Sequence, residues 1–488
     1  MGAVQVVRLA LRGRALPAAA LARVAHDVPL SHHDQATARL AFWITPRDRW
    51  PSILFCAARP GGDKGSFGGL AHMESNLRLQ SSDTATLIPA MQPAEAFDSI
   101  PPDESVSPPA SRLAWNESPA AFHIRVVRDE RYEILIEKGI ARDIGRAMLP
   151  VMRSIDSKSV LVIIDGRLGK ALGAEVVDSL RSLGLPSKVI VVHPGERSKS
   201  RGTATRLLDE LRHAGAERRT TLLAIGGGVL CDLVGLVASL YMRGLPYVNV
   251  PTTLMAQVDG AIGGKVAVNH PEAKNLIGAF YHPVQVLIDV DLMRSLPRRE
   301  ISNGLAEVVK VAVIADARLF ALVEGLDLAD ADPLGEIVRR SIAAKLALLA
   351  DDPFERDLRR VLNFGHSIGH ALESATGYRI YRHGEAVSVG IAAATEVSAQ
   401  AGICTEDTRN RIIGTLRRLA LPTSVPRDLF ASVWAHIEMI KRIRNGALNF
   451  VLPADIGAVV IRDDLSWASY LSALENLAGR SSASRPDV

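Results

Sequence analysis

Cysteine is scarce. The 488 residues hold three, Cys56, Cys231 and Cys404. They lie far apart and make no CxxC pair, so the chain carries no disulfide framework and suits a reducing cytoplasm. Aromatic residues are few, at 5%, which argues against platforms for stacking nucleic-acid bases. No apolar run is long enough to span a bilayer. Net charge is also small, +4 at pH 7 with a pI near 9.0. So mild an excess of cations does not argue for a nucleic acid, but it suits a small anionic substrate.

What is present is ordinary globular composition, 48% hydrophobic and 23% charged, in a chain long enough for two domains. Residues 1–120 read as a disordered leader, with loop composition at Gly61–Gly65 and Ser99–Pro109. The arginines Arg8, Arg12 and Arg14 precede a short Ala/Leu stretch that faintly resembles a targeting segment. Arginine and proline interrupt it, and it is not read as a signal peptide.

Order is expected from His123. Segments His123–Val127 and Tyr132–Ile136 alternate like a hairpin. Ser159–Ile164 is a continuous apolar run, as a buried parallel strand requires. Helical and strand-like stretches then alternate: helix Ala171–Leu183, strand Lys188–Val192, helix Gly202–His213, strand Thr221–Ile225, helix Leu230–Tyr241, and strands Tyr247–Val250 and Val284–Asp289. That alternation predicts a doubly wound α/β domain over residues 121–297. Beyond Pro297 the spacing turns helical, at Gly304–Val323, Pro333–Ala350, His366–Ala375, Glu385–Gly402 and Thr408–Ala420. These predict an all-α domain over 298–478, with one strand-like piece at Leu448–Leu452 and a polar tail, 479–488.

Three constellations carry chemistry. Gly226-Gly227-Gly228 follows a strand and opens a helix, where glycine lets a pyrophosphate meet a helix N-terminus; a plain tight turn reads equally well, since the G-x-G-x-x-G spacing is absent. Asp165 ends an earlier strand, placed either for ribose hydroxyls or as a helix cap. The segment from Asp259 through Gly263-Gly264-Lys265, with Lys274 and Asn275 beyond it, suits an anion site. The third set is Glu307, His366 and His383, a carboxylate and two imidazoles, which suits a catalytic Zn²⁺ with an open position. Glu307 and Lys310 share a helix face, as do His366 and His370. The residues between those two histidines lack the glutamate of H-E-x-x-H, so a zinc-protease reading fails.

Through Gly226–Asp232, Tyr241–Gly244, Pro251–Thr253, Val258–Lys265, Lys274–Phe280, Gly304–Glu307, Leu362–His366 and His383–Val387, the chain resembles the 3-dehydroquinate synthases of the sugar phosphate cyclase superfamily. The resemblance runs over about residues 123–460. It implies an N-terminal Rossmann-like NAD-binding domain and a C-terminal all-α metal- and substrate-binding domain. It also implies NAD near Asp165, Glu196, Lys199, Gly227, Gly228, Asp232, Thr252 and Thr253, with Lys265 and Lys274 beside it. A Zn²⁺ or Co²⁺ would be held by Glu307, His366 and His383. Substrate positions would be Asp259, Lys265, Asn275, Lys310, Lys345, Arg359, Asn363, His370 and Lys441. Arg243 matches an arginine that reaches a neighbouring subunit, which implies a homodimer.

The implied reaction turns 3-deoxy-D-arabino-heptulosonate 7-phosphate into 3-dehydroquinate. Transient oxidation by NAD⁺ acidifies a neighbouring proton, phosphate leaves, hydride returns, and an intramolecular aldol step closes the ring without net redox. Arg359 and Lys345 would hold the carboxylate. The stretch Ile301–Glu307 also resembles relatives that cyclise sedoheptulose 7-phosphate, which has no carboxylate, to valiolone-type cyclitols. Retention of Arg359, Asn363 and His370 favours the carboxylated substrate, and an aminated analogue of it stands as a further option. Two other classes are a metal-dependent alcohol dehydrogenase with net redox and a non-catalytic NAD-binding protein.

Overall fold

The computed structural model describes residues 130–481, apart from 194, 271–272, 331, 358–359, 444–448 and 465, together with three strands nearer the N-terminus. Those strands are β1 (Gln5–Leu9), β2 (Thr37–Arg47) and β3 (Trp50–Ala58). β3 lies between the other two and pairs antiparallel with both, Arg47 of β2 facing Trp50 of β3. Reading residues 1–120 as a leader anticipated none of these strands. The rest of that stretch, and the expected strand His123–Val127, lie outside the described residues.

The following strands are β4 (Tyr132–Glu137), β5 (Ser159–Asp165), β6 (Ser187–Val192), β7 (Thr220–Gly226), β8 (Tyr247–Pro251), β9 (Lys265–His270), β10 (Ala273–Phe280) and β11 (Gln285–Ile288). Six of them run in the order β4-β11-β8-β7-β5-β6. The pairs β11–β8, β8–β7, β7–β5 and β5–β6 are parallel, with Val162 level with both Val189 and Leu223. Helices α1 (Ile144–Ser154), α2 (Gly169–Ser182), α3 (Arg201–Ala214) and α4 (Gly228–Leu240) cover the sheet.

The apolar run of β5 is explained by burial on both faces. Val160, Val162 and Ile164 pack with Met148 and Met152 of α1 and Val176 and Leu180 of α2. Leu161 and Ile163 point the other way, among Leu207 and Leu211 of α3 and Leu233 and Val234 of α4. Period-two alternation with no polar face is the signature of a doubly wound sheet. Truncating the fully buried Ile163 to alanine would cost about 2–5 kcal/mol.

The helical part begins at α5 (Arg298–Ala315), directly after Pro297, and continues with α6 (Ala317–Glu324), α7 (Leu334–Leu349), α8 (His366–Ala375), α9 (His383–Gln400), α10 (Glu406–Arg418), α11 (Phe430–Ile443) and α12 (Trp467–Ser481). The single helix expected over Gly304–Val323 is two. Asp316, in extended conformation, ends α5 and caps α6 by accepting from the Leu319 N–H at 2.9 Å. The strand expected at Leu448–Leu452 is β12 (Phe450–Asp455), paired antiparallel with β13 (Ala458–Arg462). α12 extends into the expected tail, burying Tyr470, Ala473, Leu474 and Leu477 on one stripe, a helical spacing that sequence reading passed over. Among the described residues no helix is long and apolar enough to cross a membrane.

Candidate active site

The carboxyl ends of β5, β7 and β8 finish at Asp165, Gly226 and Pro251, the edge where doubly wound sheets bind ligands. At Gly226 the chain turns into α4, whose N-cap is Gly227 in extended conformation. A Cβ built on Gly228 would meet no atom within 4 Å, whereas one on Gly226 would strike the Leu230 side chain at 2.6 Å. The open cradle before the first turn of a 13-residue helix fits a pyrophosphate. Thr252 is buried and its N–H donates to the Gly226 carbonyl at 2.9 Å. Thr253 Oγ1 accepts from the Ala256 N–H at 3.3 Å. Asp165 is engaged locally: it accepts from the Arg167 N–H at 2.9 Å and pairs with the Arg167 guanidinium at 3.0 Å. That is the capping alternative.

Charges from the first domain converge beside this turn. Buried Lys199 is ion-paired with Asp232 and donates to Asn275 Oδ1 at 2.5 Å. Asn275 sits at φ 54° on β10. The β9–β10 hairpin, in the stretch read from sequence as an anion site, carries both Lys265 and Lys274. Glu196 accepts from Asn269 Nδ2 at 2.8 Å and lies 3.7 Å from Lys274 Nζ. Lys265 is exposed and pairs with Glu355 at 2.5 Å. Arg243 lies on an exposed turn at φ 70°.

The metal-type residues come together as expected. Glu307 lies on α5, while His366 and His383 are the first residues of α8 and α9. Glycine allows the approach. A Cβ on Gly390 of α9 would run into the Gly365 carbonyl oxygen, and one on Gly384 into the Asn303 carbonyl oxygen of α5. Only bare backbone fits those crossings. The Gly384 N–H also donates to Asn303 Oδ1 at 2.8 Å.

Glu307 Oε1 is 3.5 Å from His366 Nε2 and 3.6 Å from His383 Nε2. Both carboxylate oxygens are buried without a well-formed hydrogen bond, an expensive state unless something else satisfies them. The other ring nitrogens have partners: His366 Nδ1 meets the Phe364 carbonyl at 3.2 Å, and His383 Nδ1 meets Glu373 Oε2 at 3.2 Å. Imidazoles tied down at Nδ1 present Nε2 to a common point, as ligating histidines do. The donor set fits a Zn²⁺-like ion. His370, exposed, brings a third ring within 5.0 Å of His366 and 5.8 Å of His383, centre to centre.

Electrostatics support the arrangement. Burial works to raise the Glu307 carboxyl, but Lys310, ion-paired with it, and the two histidines hold it well below the usual carboxylate range. Burial pushes His366 well below its ordinary value. Burial has the same tendency at His383, where Glu373 and Glu307 outweigh it and raise the ring to about 9.

The remaining expected residues come from the helical part. Lys345 on α7 is turned to the protein, as detailed below. Asn363 is in the single turn before α8, and Lys441 lies in the last turn of α11. Arg359 lies outside the described residues. Sequence reading missed Glu355 and Glu373. Glu373 stands seven residues after His366 and three after His370, on the same helical face, and that spacing was the available signal.

A doubly wound sheet with an open glycine cradle, facing a carboxylate–imidazole centre on a helical domain, defines a two-domain enzyme-like architecture with places for a nucleotide and a metal. Sequence models of the 3-dehydroquinate synthase N-terminal and C-terminal domains match residues 189–303 and 304–443. A 2-epi-valiolone synthase from Stigmatella aurantiaca is 46% identical, over 76% of this chain and 95% of its own. A 3-dehydroquinate synthase from a Synechococcus species is 39% identical, over 73% of this chain and 98% of its own. Among solved structures, a 2-epi-5-epi-valiolone synthase from Streptomyces hygroscopicus, with NAD⁺ and Zn²⁺ bound, is 30% identical with a TM-score of 0.68, over 74% of this chain and all (100%) of that one. The chain belongs to the 3-dehydroquinate synthase family of sugar phosphate cyclases.

Proposed function

We propose that this chain cyclises sedoheptulose 7-phosphate to a valiolone-type cyclitol with loss of phosphate, using NAD⁺ at the Gly226–Gly228 turn and a Zn²⁺ or Co²⁺ at Glu307, His366 and His383. This reverses the preference drawn from sequence for the carboxylated heptulosonate. The observation that carries the change is the state of Lys345. Its ammonium meets Asp259 Oδ1 at 2.7 Å, the Asp259 carbonyl at 2.6 Å and the Ile262 carbonyl at 3.0 Å. An ammonium has three donors, so none remains for a substrate carboxylate. Sedoheptulose 7-phosphate has no carboxylate to hold. The 46% identity to a 2-epi-valiolone synthase, against 39% to a 3-dehydroquinate synthase, supports the same reading.

When bound, NAD⁺ supplies a hydride acceptor that later returns the hydride, and the ion supplies Lewis acidity at the oxygen being oxidised. The residues of the chain do the rest. Lys310, held beside Glu307 in a buried site, is a fixed cation near that oxygen. Lys265, Asn275, Asn363, His370 and Lys441 gather the phosphate, whose own oxygens take the proton during elimination. Arg243 contributes from a neighbouring copy in a homodimer. Holding one substrate through oxidation, elimination, reduction and aldol closure is chiefly a matter of orientation.

The retained Asn363 and His370 favour the second reading, 3-dehydroquinate synthesis. Phosphate release decides between them, measured with NAD⁺ and Zn²⁺ or Co²⁺ on sedoheptulose 7-phosphate and on 3-deoxy-D-arabino-heptulosonate 7-phosphate in parallel. Release from the first with a cyclitol product is expected. Release from the second alone would return the chain to dehydroquinate synthesis. Net NADH accumulation would instead indicate a dehydrogenase.

A further inference from the structure

We infer that Glu373 is a positioning residue that ties the metal centre to the cofactor-side lysine Lys274. The inference rests on the metal reading above but not on which sugar phosphate is the substrate. Glu373 lies on α8 with its side chain only 2% exposed, and it uses its two oxygens on two different elements. Oε2 meets His383 Nδ1 at 3.2 Å, and Oε1 accepts from Lys274 Nζ at 2.7 Å. Lys274 comes from the β9–β10 hairpin, and the same ammonium lies 3.7 Å from Glu196 and 5.5 Å from the centre of the Tyr378 ring.

A carboxylate buried this deeply needs compensation at both oxygens. As an acceptor, it fixes His383 in the tautomer that carries its proton on Nδ1. Nε2 is then left facing Glu307, 3.6 Å away, with its lone pair available to an ion. The same group fixes the ammonium of Lys274. One side chain thus sets the ligand geometry of the helical domain and the place of a cation from the nucleotide domain.

The variants are Glu373→Gln and Glu373→Asp in the full chain, loaded with zinc or cobalt. Glutamine keeps the shape but gives up the charge and one acceptor. Aspartate keeps the charge but is one methylene short of spanning both partners. The readouts are the rate of zinc transfer to a chromogenic chelator and the visible spectrum of the cobalt form. Zinc is expected to leave E373Q about 10–100-fold faster, the usual cost of losing a carboxylate behind a ligating histidine, and the cobalt bands are expected to shift. E373D should be intermediate. A wild-type transfer rate and an unshifted spectrum in a folded E373Q would overturn the inference.

If both variants fail to fold, the test moves to imidazole ¹⁵N spectra of the zinc-loaded wild type. They should show His383 protonated at Nδ1, and protonation at Nε2 would overturn the inference. A wild-type chain that binds no zinc would overturn the metal reading itself, so the two failures are distinguishable.

Discussion

Lys345 and Asp259 are joined twice: the ammonium of one lies 2.7 Å from the carboxylate of the other and 2.6 Å from its main-chain carbonyl. Burial works to raise the Asp259 carboxyl, and Lys345 together with Lys310 and Lys265 outweighs it, holding the group below its usual range. The Lys345 side chain is 3% exposed and that of Asp259 32%. The pair therefore pins the π-helical turn after β8, Ala256–Gly260, to α7. Lys345→Met leaves the carboxylate and the Ile262 carbonyl without that donor, while the Asp259 carbonyl keeps the Ile262 N–H at 3.1 Å. Because Asp259 keeps some solvent, the expected loss is about 2–3 kcal/mol, below the full cost for a wholly buried pair. Urea denaturation measures it. Unchanged stability, with KM raised only for a carboxylated sugar phosphate, would restore Lys345 as a substrate clamp.

Glu307→Gln tests the centre from the other side. The carboxylate is the anionic partner of Lys310, whose side chain is 4% exposed. Burial works to lower the Lys310 ammonium, but Glu307 and Asp259 raise it. Glutamine should reduce zinc affinity by more than the roughly 100-fold reached by outer partners. It should also destabilise the metal-free chain by about 3 kcal/mol, since a buried cation loses its partner. Metal analysis after dialysis and a metal-free melting curve read the two effects separately. A variant that retained one equivalent of zinc would remove Glu307 from the ligand set.

Much of the architecture was legible because its signals are local. The run Ser159–Ile164 announced a strand buried on both faces, and Glu307, His366 and His383 were visible as ligand types. The misses arise where tertiary context decides. Asp316 reads as one more residue in a helical stretch, yet its side chain caps the next helix at Leu319. Lys274 and Lys265 read as the cations of an anion site, because nothing local shows that their strands pair or that Glu373 and Glu355 stand opposite. Lys345 entered through the family resemblance, and its partners Asp259 and Ile262 were not legible because they are more than eighty residues away.

Zinc binding should strengthen with pH. The ion takes a neutral imidazole, and in the metal-free chain Glu373 and Glu307 outweigh burial and raise His383 to about 9. At pH 7 that ring carries a proton which the metal must expel. Apparent affinity should therefore rise about tenfold per pH unit from 7 and level off near 9. His366, held well below its ordinary value, adds no second proton in that window. Competition titrations against a chelator of known pH dependence give the slope. A flat profile between pH 7 and 9 would show that His383 is already neutral or is not a ligand.

Gly228→Ala separates folding from cofactor binding. Gly228 is the first residue of α4, and a methyl group there would meet no protein atom within 4 Å. Its φ lies outside the left-handed region, so alanine is tolerated, and the smaller entropy of the unfolded chain should stabilise the fold by about 0.4–1 kcal/mol. The methyl would stand in the cradle where the backbone must approach a pyrophosphate. Binding of NAD⁺ should weaken by about tenfold or more, equivalent to about 1.4 kcal/mol, while the melting temperature holds or rises. Calorimetric titration with NAD⁺ and a melting curve on the same sample test both halves. If affinity is unchanged and stability rises, the nucleotide does not lie on this turn. If both fall together, the glycine serves packing that the open space at Gly228 does not reveal.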